Sequence, residues 1–265
     1  MVKILEASTV ERFREGLVGR RVGGGREHLA ERLVGVAPAV ISSRAPSSPR
    51  PLRGQTPDSS HWTIEFCMSA PNVQSFVGLV EKIRTLETPT VVAVDGRSAS
   101  GKTTFAKRLS SVLNAPLVHT DDVAWHHSFF DWWPLMLEHI LEPFYADRAI
   151  DWTPEAWTAR GREGSIQVPQ SSTMMLEGVG ATRRELIDWV TLPIWVETHP
   201  DIAQARGLER DGPDGLDFWF EWQAVENPFL EQDRPWDRAK LVVDGASNLE
   251  HDPETQFVTL KNWVL

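Results

Sequence analysis

From residue 72 onward, short apolar runs alternate along the chain with longer stretches of helical spacing. Thr90-Val91-Val92-Ala93-Val94 is apolar and rich in β-branched residues, as expected of a strand covered on both faces. Four further runs share that character: Pro116–His119, Thr173–Leu176, Leu192–Val196 and Lys240–Val243. Helical spacing links Val73, Phe76, Val77, Val80 and Ile83, which predicts an amphipathic helix closing before Pro89. It recurs at Phe105, Leu109, Val112 and Leu113, with Lys107 and Arg108 on the opposite face. Residues 123–150 read as largely helical, with Leu135, Leu137, Ile140, Leu141 and Phe144 as core candidates, and Asp201–Arg210 as another helix. Ile150–Pro169 has weak periodicity and reads as an excursion from the sheet. Strands alternating with helices predict an α/β fold: a parallel sheet of about five strands, helices on both faces, and a ligand at the carboxyl ends of the strands.

The first 68 residues differ in kind. Gly23-Gly24-Gly25 and the Ser-, Pro- and Arg-rich run from Ser42 to Ser60 have the composition of linker or disorder. The expected organisation is therefore a low-complexity, disordered extension over residues 1–68 and one domain over 69–265. Charge divides at the same place. The extension holds ten Lys and Arg against seven Asp and Glu, and the remainder seventeen against thirty. An acidic body argues against nucleic acid as the partner, because a phosphate backbone demands a basic face. The single cysteine, Cys67, excludes a disulfide framework and a cysteine-based zinc cluster. No apolar run reaches the length of a membrane span and no signal peptide opens the chain, so a cytoplasmic protein acting on a small molecule is expected.

The chemistry concentrates where the strands end. Gly96-Arg97-Ser98-Ala99-Ser100-Gly101-Lys102-Thr103 follows the first strand and opens a helix, in the pattern G-x-x-x-x-G-K-T. Such a loop points backbone N–H groups and the positive end of a helix at one place, where a polyphosphate can sit. Residues 96–103 with Thr104 are thus the candidate nucleotide-binding set. Lys102 would reach the terminal phosphates and the Thr103 hydroxyl would ligate Mg²⁺. Asp121 and Asp122 follow the second strand, and serve either as proton acceptor and magnesium partner or as an ordinary helix N-cap. Glu177 follows the third and supplies a second carboxylate for the metal. Arg206 and Arg210 lie four apart on one helix, either as lid arginines facing the transferring phosphate or as a solvated charged face. Trp125, Trp132, Trp133, Trp152 and Trp157 crowd the same region, either stacking on a flat substrate or packing core.

In order, VAVDGRSASGKTT, HTDD, MMLEGVG and R-x-x-x-R-D resemble the uridine kinase-like branch of P-loop kinases, which also holds phosphoribulokinase, pantothenate kinase and nicotinamide riboside kinase. The resemblance spans about residues 90–245. It implies a P-loop NTPase fold and ATP- and Mg²⁺-dependent phosphorylation of a hydroxyl on a small molecule, closest to a nucleoside kinase. It also implies roles: Asp121 as catalytic base, Lys102, Arg206 and Arg210 as stabilisers of the phosphoryl group, and Thr103, Asp121 and Glu177 around magnesium. Arg160, nine residues before Pro169, matches a substrate-binding arginine, and Asp122 and Trp125 are placed beside the acceptor. The chain departs from the family at Thr153-Pro154-Glu155 and Thr158, where uridine kinases carry Tyr-Asp-Phe and a histidine, and at Val123-Ala124-Trp125. A sugar, vitamin precursor or antibiotic is the alternative acceptor, and a nucleotide-binding regulator with little turnover the alternative function.

Overall fold

The computed structural model describes residues 70–263. The expected extension over residues 1–68 lies outside the described residues. The strands are β1 Asn72–Ser75, β2 Thr90–Asp95, β3 Leu117–His119, β4 Ile150–Trp152, β5 Ile166–Val168, β6 Thr173–Glu177, β7 Leu192–Glu197, β8 Leu241–Asp244 and β9 Gln256–Lys261. The helices are α1 Phe76–Ile83, α2 Lys102–Leu113, α3 Thr120–Ala124, α4 Trp133–Met136, α5 Glu142–Tyr145, α6 Glu155–Ala159, α7 Pro200–Asp211, α8 Leu216–Asp233 and α9 Pro235–Arg238. A π-helical turn, Leu137–Leu141, joins α4 to α5.

One seven-stranded sheet carries the domain in the order β1-β9-β8-β7-β2-β6-β3. Its parallel part, β8-β7-β2-β6-β3, consists of the five strands read from the sequence. Successive residues of β2 serve opposite faces. Val92 and Val94 pack with Phe76, Phe105, Leu109 and Ile194, under α1 and α2. Val91 and Ala93 pack with Trp132, Met136, Ile140 and Trp222 on the other side. Both faces are covered, which is why these strands read as continuous apolar runs. The central β2 has neighbours reached by crossovers in opposite directions, and the crevice at such a switch point is where α/β sheets bind ligands. With the glycine loop leading from β2 into α2, this is the P-loop NTPase fold.

Two expectations are corrected. Val73 is not helical: Asn72–Ser75 forms a strand antiparallel to β9, and α1 begins only at Phe76. Val73 fits either period, and sheet pairing decides it. Ser75 then caps the helix, accepting the Gly78 N–H at 3.0 Å. The stretch 123–150, expected to be largely helical, is helical only in part. It breaks after Ala124, turns through His126 in the left-handed region (φ 58°), resumes at Trp133 and ends before β4. The expected excursion is an antiparallel pair, β4 and β5, enclosing α6. Trp132, Trp125 and Trp157 are buried in the core, with Trp133 and Trp152 packed against it.

Candidate active site

Strand register assembles the site. Val94 of β2 and His119 of β3 both align with Glu177 of β6, so the phosphate loop, His119 and Glu177 leave the sheet at one level. Residue 178 must be glycine for β3 and β6 to close up there. Its φ is 144°, and a Cβ would lie 1.8 Å from the Thr120 hydroxyl. That close approach is the physical reason for the Glu177-Gly178 pair.

The loop from Gly96 to Thr103 enters α2 through Gly101, a left-handed N-cap that offers no side-chain hydrogen bond to the first helical turn. First-turn N–H groups without a capping side chain suit an anionic ligand. Lys102 is folded over the loop, with Nζ 3.4 Å from the Arg97 carbonyl and only 9% of the residue exposed. Thr103 donates its hydroxyl proton to Glu177 Oε1 at 2.9 Å, and Glu177 Oε2 lies 2.5 Å from His119 Nδ1. Burial alone would raise the Glu177 pKa. The His119 hydrogen bond and the Lys102 charge outweigh it, and the carboxyl lies below its usual range. Asp121 moves the other way, raised first by burial and then by the Glu177 charge, against the pull of Lys102 and His119. Two neighbouring carboxylates with pKa values pushed apart can divide their roles, one staying charged and one exchanging a proton.

These groups line one cleft of about 920 Å³. Lys102 and Thr103 of α2, Asp121 of α3 and Glu177 of β6 face it, with Arg206 and Arg210 from α7 and Phe218, Trp219 and Trp222 from α8. Arg206 Nη1 donates to the Gly245 carbonyl at 2.8 Å, and Arg210 holds the adjacent Asp211 through Nε and Nη2 at 2.7 and 2.8 Å. Helices α7 and α8 form a hairpin that overhangs the loop. Gly207 lets it close, since a Cβ there would meet the Trp219 ring at 2.1 Å.

The cleft lining does not include Asp122, Trp125 or Arg160. Asp122 is not the helix cap either: α3 is preceded by His119 and has no side-chain cap. Its Oδ1 accepts from Arg162 Nη2 at 2.7 Å, and its carbonyl accepts the Trp157 indole N–H at 2.9 Å. Arg162 lies over Trp157, 3.4 Å from the ring centroid, and 5.2 Å from that of the buried Trp125. Arg160 is exposed. Arg162, which the sequence reading did not single out, is the arginine that meets Asp122. Asp122→Asn removes the charge opposite Arg162, whose Nη1 is already buried without a hydrogen-bond partner. A loss of about 1–2 kcal/mol is expected by urea denaturation, from weakening a partly buried charged hydrogen bond. A change below about 0.5 kcal/mol, the usual scatter at inert surface sites, would show the pair to be idle.

The sequence reading also passed over Asp95, which directly precedes the glycine loop. It is fully buried and accepts four hydrogen bonds. Oδ1 takes the Gly96 and Gly180 N–H groups at 2.8 and 2.9 Å, and Oδ2 takes the Thr182 N–H and hydroxyl, both at 2.9 Å. Burial pushes its carboxyl up to about 6 despite those bonds. Asp95 ties the start of the phosphate loop to the turn after β6. In Asp95→Asn the amide nitrogen replaces one acceptor oxygen and leaves a buried N–H without a partner, for an expected loss of about 1–3 kcal/mol. An Asn variant that melts with the unaltered protein would remove Asp95 from this role.

The sites fit magnesium nucleotide chemistry. Among the described residues no group of three or more His, Cys, Asp or Glu is arranged to hold a metal. Magnesium in nucleotide sites needs only one or two protein oxygens, with phosphates and water completing its shell, and Thr103 with Glu177 would be enough to supply those.

No family model matches the chain, and no curated protein matches it. Solved structures do. A "possible uridine kinase" from Bacillus stearothermophilus is 20% identical with a TM-score of 0.43, the match covering 63% of this chain and 96% of that one. A protein provisionally named a fructose transport system kinase, from Silicibacter sp. TM1040, is 16% identical with a TM-score of 0.44, over 63% and 95%. Shikimate kinase from Bacteroides thetaiotaomicron is 17% identical with a TM-score of 0.28, over 55% and 83%. At these identities no acceptor is carried over to this chain. Among the described residues no helix is long and apolar enough to cross a membrane.

Proposed function

We propose that the chain is an ATP- and Mg²⁺-dependent small-molecule kinase that phosphorylates a hydroxyl group. The observation that carries this is the convergence of Lys102, Thr103, Asp121 and Glu177 on one cleft at the carboxyl ends of β2, β3 and β6. A protein that only binds nucleotide needs the loop, but has no use for a second carboxylate whose pKa is raised beside it. Bound Mg·ATP would supply the phosphoryl group and neutralise part of its charge. Lys102 holds the terminal phosphates, Thr103 and Glu177 hold the metal, and Asp121 accepts the proton of the attacking hydroxyl. Arg206 and Arg210 overhang the cleft from the α7–α8 hairpin, placed to meet charge that builds on the transferring group.

Nucleoside phosphorylation is the closest reading by motif. One observation favours the alternative of a sugar, vitamin precursor or antibiotic. The residues expected at the substrate, Asp122, Trp125 and Arg160, stand outside the cleft lining, while α8 contributes Phe218, Trp219 and Trp222 to it. The deciding experiment measures ADP release from Mg·ATP with nucleosides, sugars, vitamin precursors and hydroxylated antibiotics offered singly. Acceptor-dependent release is expected with one class. Nucleotide binding without any acceptor-dependent release would replace the kinase by a nucleotide-binding regulator.

A further inference from the structure

Helix α8 grips the phosphate loop from outside the sheet. The Glu226 carboxylate, 1% exposed, accepts the Ser98 backbone N–H at 2.6 Å. One turn earlier, Trp222 donates its indole N–H to the Ser98 hydroxyl at 2.6 Å. The next residue after Glu226, Asn227, accepts from Arg97 Nη1 at 3.2 Å. Two consecutive loop residues are therefore held by three side chains from one helix face.

The loop needs such a hold. Ala99, directly after Ser98, has φ 61°, a left-handed conformation that costs about 1–2 kcal/mol for a residue with a Cβ. A loop left to itself would relax out of it, and the N–H groups at the start of α2 would no longer converge. Glu226 is also a poor choice for packing alone. A buried carboxylate near an anion site is penalised by desolvation and by repulsion, so its presence calls for a specific bond. The bond it makes is charge-assisted, and stronger than one between neutral groups. Trp222 is itself fixed: its ring stacks on Phe130 at 5.4 Å and meets Phe129 edge-on at 5.3 Å, while Phe130 stacks on Phe229 at 4.1 Å. Arg183 donates to the Phe130 carbonyl and closes this support.

We propose that Glu226 and Trp222 are positioning residues that hold Ser98, and through it the phosphate loop, in the conformation that binds nucleotide phosphates; this rests on the kinase reading of the cleft. Glu226 stands outside the cleft lining, whereas Trp222 also lines the cleft, so Glu226 acts on the nucleotide only through the loop. The rigid aromatic stack fixes α8, α8 fixes Ser98, and the loop is pre-ordered before ligand arrives.

The test is calorimetric titration of the full chain with Mg·ADP. Glu226→Ala should weaken binding about tenfold or more, as expected for loss of a charge-assisted bond that orders the site. Glu226→Gln keeps an oxygen facing the Ser98 N–H, and should bind within about threefold of the unaltered chain, since its remaining bond is the neutral kind. Trp222→Phe keeps the ring stack and removes only the bond to Ser98 Oγ. It should weaken binding about threefold to tenfold, with no further loss on adding Ser98→Ala, because both changes delete one interaction. Glu226→Ala binding like the unaltered chain would overturn the proposal. So would Gln binding as weakly as Ala, which would mean that the two variants share a packing defect. An unaltered chain that binds no Mg·ADP would overturn the kinase reading first, and this inference with it.

Discussion

Lys102→Ala is expected to leave the protein folded and to lower phosphotransfer by about 10³-fold, the upper end for deleting one charged donor from a preorganised site. The fold should survive because the ammonium group makes one long bond, 3.4 Å to the Arg97 carbonyl, and Gly101 rather than a side chain starts the helix. Turnover should not survive, for two reasons that act together. The terminal phosphates lose the cation that reaches them from the loop. Asp121 and Glu177 also lose the positive charge that holds both carboxyls down, so the Asp121 pKa climbs further and the like charges repel more strongly. Steady-state ADP release with a competent acceptor, paired with a thermal melt, checks both halves. Turnover within tenfold of the unaltered chain would end the kinase reading of this cleft. Lost turnover with a collapsed melt would show Lys102 to be structural.

How much of this was legible depends on what each residue answers to. The five parallel strands were visible because burial on both faces makes a continuous apolar run, and little else in the chain looks like Val91-Val92-Ala93-Val94. Lys102, Thr103, Asp121 and Glu177 were visible for a related reason. In this fold chemistry stands where strands end, so finding the strands finds the residues. Strand β1 is a four-residue edge strand with no fully buried position, and β9 joins the sheet antiparallel to β8 with no helix between them, so neither belongs to the strand–helix alternation that marks the other five. Helix α8 was missed because Pro228, which reads as a helix breaker, stands inside it, and Phe218, Trp219, Phe220 and Trp222 spread apolar residues around its axis, which blurs the 3.6-residue period. With α8 went the clamp on the loop: Glu226 meets Ser98 across 128 positions, and Trp222 meets it across 124. No spacing rule spans such a distance. Arg162 went unread for the same reason, since it meets Asp122 across 40 positions.

Asp121→Asn is expected to lower turnover by about 10²–10⁴-fold, the range for lost general-base assistance. The substitution keeps the shape of the side chain and most of its hydrogen bonding while removing the proton acceptor. Asp121 is suited to that role by its surroundings: burial and the charge on Glu177 lift its pKa, which makes it a stronger base than an ordinary carboxylate. Glu177 is held in the charged state by His119, Lys102 and Thr103, so it is the better metal partner and the poorer proton acceptor. Affinity for Mg·ADP should change by only a few-fold, because the loop and Thr103 are intact and the lost group acts on the acceptor. Stability should hold or rise slightly, since one of two neighbouring like charges is gone. The adjacent residue gives the control. Asp122 faces Arg162 rather than the cleft, so Asp122→Asn should cost stability and leave most of the turnover. The reverse result, with Asp122→Asn inactive and Asp121→Asn active, would move the base one residue along the chain. If both variants stay active, neither carboxylate takes a proton, and the cleft binds nucleotide without using this pair for transfer.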